Sequence, residues 1–124
     1  MLFNFEMDSR DRAVILLIGL PQLNNTLRLS ANEPLRQRIT MNFNIESLTK
    51  EETNAYIKAK IAGAKGSMDI FNFNALEAIA NASNGIPRII NKICNNALMI
   101  AASKNKEYID AELIMSAVND MELA

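Results

Sequence analysis

The chain has 124 residues, of which 49% are hydrophobic, enough for one domain with a core of ordinary size, and its formal net charge is −1. That balance supplies no bulk attraction to nucleic acid or to an anionic membrane. The absence of histidine excludes imidazole acid–base chemistry and His-ligated metal sites, so no metal is assigned, and a single cysteine excludes an internal disulfide.

Met1–Met7 carries Leu2, Phe3, Phe5 and Met7 and reads either as the end of a helix or as an extended lead-in. Asp8–Arg12 is a polar break. No basic start followed by an apolar block marks a signal peptide, and Ala13–Leu20 is far too short to span a bilayer. The expected setting is cytoplasmic, without membrane insertion by this chain.

Ala13–Ile18 is an apolar run without alternation and holds three β-branched residues, Val14, Ile15 and Ile18. A run of this kind reads as a strand covered on both faces, as in a parallel sheet. Its short length and the following Gly19-Leu20-Pro21 weigh against a buried helix. A two-sided strand needs neighbours on both edges, yet only Met41–Ile45 resembles another strand. The spacing therefore predicts a fragment of a larger α/β domain, with one or two strands in residues 1–47. Pro21 can open a helix reaching about Leu29, and Glu33-Pro34 opens a shorter helical turn that ends at Arg36–Ile39. Arg36 and Arg38, two residues apart, point in different directions on a helix and so do not serve one shared purpose.

From residue 48 to 124 the pattern is helical. Thr49-x-x-Glu52 is a capping box that opens a helix to about Ala62. Asn74-x-x-Glu77 is expected to cap the next, which stops at Gly85. A helix from Pro87 to about Ser103 places Ile89, Ile90, Ile93, Cys94, Ala97, Leu98 and Ala101 on one face, with Arg88, Asn91, Lys92 and Asn95 on the other. Cys94 in that run is a small core residue, since no histidine is present to activate it. Asp110 caps a last helix carrying Leu113, Ile114, Ala117, Val118 and Met121. The expected result is a four-helix bundle from Thr49 to Met121.

Gly85-Ile86-Pro87-Arg88 joins two of these helices. Gly85 can close one in the left-handed conformation, and Pro87 can open the next where a missing N–H is no loss. Arg88 does not follow from helix physics, because the first turn already presents partial positive charge and prefers Asp or Glu. Either an anion such as phosphate offsets it, or it pairs with a carboxylate or stays solvated.

Taken in order, Leu2–Asp8, Gly19-x-Pro21-x-Leu23, Leu35–Ile39, Leu48-Thr49-x-Glu51-Glu52 and Gly85–Asn91 resemble the C-terminal part of an AAA+ ATPase of the ExeA/general-secretion-pathway-A and TnsC-like group. This resemblance implies that residues 1–47 are the end of the AAA+ α/β core, with Ala13–Ile18 as the sensor 1 strand, and that residues 48–124 are the helical lid. It places Arg88, with Pro87 and Ile86 beside it, at the sensor 2 contact to the γ-phosphate of ATP in the same subunit. Arg38 matches the arginine finger, comparable to the Pro-Leu-Arg-x-Arg of branch-migration helicases, and acts on the ATP of a neighbouring subunit in a ring or filament. Arg36 is either a second trans contact or, as favoured here, a helix anchor through an ion pair. The group often carries a polar residue where this chain has Leu20. Gln22 then orients the attacking water, or it is merely exposed.

The 124 residues contain no Gly-x-x-x-x-Gly-Lys-Ser/Thr phosphate loop and no acidic Walker B strand, so this chain alone is not expected to hydrolyse ATP. It is expected to belong to a longer protein whose N-terminal half supplies the Mg²⁺ site. The implied function is coupling of ATP turnover to oligomer assembly or partner remodelling, with a transposase or DNA as candidate partners and transposition or secretion as candidate processes. The alternative is a non-enzymatic helical protein- or DNA-interaction module with Pro87–Ser103 as its recognition helix, in which Asn side chains pair with adenine.

Overall fold

The computed structural model describes residues 13–67 and 69–123, so the expectation for Met1–Met7 lies outside the described residues. The chain divides into two compact units, Met1–Asn44 and Ile45–Ala124.

The first unit is built of short pieces. Helix α1 spans Gln22–Leu27 with Pro21 as its N-cap, a single 3₁₀ turn covers Ser30–Asn32, and α2 spans Glu33–Gln37 with Pro34 in its first turn. None of its described residues is buried.

The two expected strands do not form. Ala13–Ile18 and Met41–Ile45 have no regular structure, and Val14 is 99% and Phe43 86% exposed. Every strand N–H and C=O needs a partner across an edge, and the described residues offer these two segments none. Their apolar, β-branched composition is that of sheet interior, but it is not paired here.

The second unit is the four-helix bundle. Helix α3 is Lys50–Gly63, opened by the expected capping box: the Glu52 N–H donates to Thr49 Oγ1 at 3.2 Å and the Thr49 N–H to Glu52 Oε1 at 3.1 Å. Helix α4 is Phe73–Ser83, and its cap differs from the sequence expectation. Asn72, not Asn74, accepts the Ala75 N–H, at 2.8 Å. An isolated parallel bridge between Phe71 and Ile109 is the reason: the Ile109 N–H donates to Ile70 O at 2.7 Å and the Asn72 N–H to Ile109 O at 3.1 Å. These bonds hold Asn72 extended, so the helix can start only after it.

Helix α5 is Pro87–Ser103, and α6 is Ala111–Leu123 with the Leu113 N–H donating to Asp110 Oδ1 at 2.9 Å. Helices α4, α5 and α6 pack on one another, and α3 lies against α4 and α5. Ile79, Ile90, Ile93, Ile109 and Ile114 are fully buried around Ala97 and Ala117. Each such isoleucine contributes about 1.5–3 kcal/mol of transfer free energy. Leu98, expected on the buried face of α5, is 42% exposed at the edge of the stripe.

Candidate functional site

The site is the turn from α4 into α5. Ser83 is fully buried at the end of α4, and its hydroxyl donates to Ala80 O at 3.5 Å while accepting the Gly85 N–H at 3.2 Å. Asn84 and Gly85 are both left-handed, at φ 52° and 72°, so the reversal predicted at Gly85 takes two residues. The Ile86 N–H returns to Ser83 O at 3.1 Å. Ile86 is the N-cap of α5 and Pro87 its first residue, with no side-chain cap.

Few free donors remain at this helix start. Ile86 O accepts from both Ile89, at 3.0 Å, and Ile90, at 2.9 Å, while Pro87 has no N–H. Among the described residues, that leaves the Arg88 backbone N–H without a backbone acceptor.

The Arg88 side chain is exposed and forms no ion pair or hydrogen bond among the described residues. Helix α5 carries no acidic residue, and its cations, Arg88 and Lys92, stand four positions apart in its N-terminal half. Both the helix dipole and the like charge one turn on disfavour this arrangement in the absence of an anion. Asn91, expected on the outer face with them, is instead taken into the structure: the Tyr56 hydroxyl donates to its Oδ1 at 2.9 Å, joining α3 to α5.

In the first unit, Gln22 opens α1 and is exposed. Arg36 and Arg38 separate as their spacing requires. Arg36 Nη1 donates to the backbone carbonyl of Arg28 at 3.4 Å, which ties α2 to the end of α1. The anchor is a carbonyl rather than the ion pair expected, because the last turn of α1 leaves its carbonyls open. Arg38 is the C-cap of α2, and its exposed side chain has no partner among the described residues.

No family model matches the chain, and no solved structure does. Over 88% of its length it is 34% identical to General secretion pathway protein A of Aeromonas hydrophila. The chain is a homologue of a segment of that protein. It is also 32% identical over 73% of its length to the Holliday junction branch migration complex subunit RuvB of Helicobacter pylori. An uncharacterized HTH-type transcriptional regulator of Methanocaldococcus jannaschii is 27% identical over 87% of it. The chain spans only about a fifth to a quarter of the length of these curated relatives: 20% of the secretion pathway protein, 26% of the RuvB and 27% of the HTH-type regulator.

Proposed function

We propose that this chain is the sensor, arginine-finger and lid portion of an AAA+ ATPase that couples ATP binding and hydrolysis to oligomer assembly or partner remodelling. The observation that carries the reading is Arg88, an exposed cation in the first turn of an acid-free helix, with no partner among the described residues. Homology to a General secretion pathway protein A and similarity to a RuvB support it. A γ-phosphate at this turn offsets both the guanidinium and the dipole. Ile86 and Pro87 form the wall beside it.

In this reading Arg38 is the finger. It stabilises charge developing on the phosphoryl group transferred in an identical neighbouring subunit, so that hydrolysis depends on assembly into a ring or filament. Arg36 positions the finger helix through Arg28. Gln22, two positions beyond Leu20, orients the attacking water. The phosphate loop, the Walker B acid and the Mg²⁺ site are contributed by sequence outside these 124 residues. The remodelled partner is a transposase, DNA or a component of a secretion apparatus.

The reading is tested in the complete protein with paired variants. Arg38→Ala is expected to lower the ATPase rate on the order of 10³-fold while leaving ATP affinity within about twofold, because the finger acts in the transition state. Arg88→Ala is expected to weaken ATP binding as well, because its contact exists in the ground state. Full turnover in Arg38→Ala would remove the finger, and unchanged nucleotide affinity in Arg88→Ala would remove the sensor.

A further inference from the structure

We propose that Gly85 is a positioning residue: it clamps the segment entering the helical unit, at Leu48, onto the turn that carries Arg88. The Leu48 N–H donates to Gly85 O at 2.9 Å. A Cβ on Gly85 would overlap the Leu48 carbonyl oxygen and lie 2.9 Å from both the carbon of that carbonyl and the Leu48 nitrogen. The obstructing atoms are backbone, so no side-chain rotation relieves them. At φ 72°, moreover, an L side chain is strained even without a neighbour. Two independent demands thus fall on one residue.

The clamp is braced from both sides. Gly85 N–H is held by the buried Ser83 hydroxyl, and the Leu48 side chain packs against the core of the bundle. Immediately after Leu48, the Thr49 capping box fixes the start of α3. Immediately before it, neither the Glu46 nor the Ser47 N–H has a backbone acceptor among the described residues. The chain therefore passes from an unbonded connection into the bundle at Leu48 through its bond to Gly85, which stands three positions before Arg88, whereas Leu48 is 40 positions away in sequence.

The consequence for nucleotide rests on Arg88 being its phosphate contact. Because Gly85 and Arg88 share one turn, an anion that draws on Arg88 also acts on the bond that holds the segment entering α3. Such a bond behaves as a two-state element that both ends bias.

Amide hydrogen exchange tests this. In the ligand-free chain, Leu48 is expected to exchange at least about tenfold more slowly than Glu46 and Ser47, since it alone of the three is bonded. Gly85→Ala is expected to speed Leu48 by at least about tenfold while Ile93 and Ile114 keep their rates. Leu48 exchanging as fast as Ser47 in the unmodified chain would overturn the clamp, whatever the variant does. If Gly85→Ala also speeds Ile93 and Ile114, the rate in the unmodified chain decides. In the complete protein, ATP with Mg²⁺ is expected to slow Leu48 further, and Arg88→Ala to remove that slowing without changing the ligand-free rate. ATP that binds and leaves Leu48 unchanged overturns the coupling. ATP that does not bind overturns the nucleotide reading and the coupling with it, while the ligand-free rates still decide the clamp.

Discussion

Burial pushes the Cys94 thiol from its ordinary 9.0 up to about 11. The proton is therefore held in the folded chain over a range in which the unfolded chain releases it. Folding stability falls as pH rises from about 9, and the loss levels off above about 11. Urea midpoints of the unmodified chain and Cys94→Ala, compared at pH 8 and pH 10.5, are expected to converge at the higher pH beyond whatever the lysines contribute to both. A constant gap between them would show that the thiol does not titrate differently on folding. At this scale the sequence was informative where one residue's own context decided the matter: an apolar helical run made Cys94 a core residue, and Pro87 made Arg88 a first-turn cation. It was uninformative about Asn91 and Arg36, whose partners, Tyr56 and the Arg28 carbonyl, are 35 and 8 positions away and are chosen by tertiary geometry.

Helix starts separate in the same way. Thr49-x-x-Glu52 was legible because both halves of the box are local and no competitor stands beside it. At α4 the sequence offers Asn72 and Asn74, and only the second has an acid three positions on. The choice falls to Asn72 through the Phe71–Ile109 bridge, a contact across 38 positions that no local pattern reveals. The two asparagines should respond accordingly. Asn72→Ala removes the acceptor for the Ala75 N–H and is expected to cost about 1 kcal/mol. Asn74→Ala, on an exposed helical position with a better helix former, is expected to stay within about 0.5 kcal/mol of the unmodified chain. Chemical denaturation of the two variants measures both, and equal losses would mean that the capping assignment is wrong.

For the whole chain, the mainly helical class and the four-helix bundle were readable from periodicity, since α4, α5 and α6 each bury a stripe at helical spacing. The strands were not, because a strand is defined by its neighbours and the apolar run at Val14–Ile18 has none among the described residues. This asymmetry carries a consequence for stability. Every buried side chain described lies in the second unit, whereas the first exposes Val14, Leu16, Ile18, Met41 and Phe43 by more than three quarters of their surface. The hydrophobic term that holds a fold together is proportional to area removed from water, so the cooperative unfolding of this chain should belong to the bundle. Residues 45–124 alone are expected to melt within about 3 °C of the 124-residue chain, a shift that corresponds to less than about 1 kcal/mol for a unit of this size. They should also remain monomeric at higher concentration, because the exposed apolar run that favours association is gone. Circular dichroism melts and light scattering on the two chains decide the matter. A fall of more than about 8 °C, or loss of the sigmoidal transition, would show that the first unit contributes more than about 1 kcal/mol to the stability of the bundle and that its exposed side chains find cover in the intact chain.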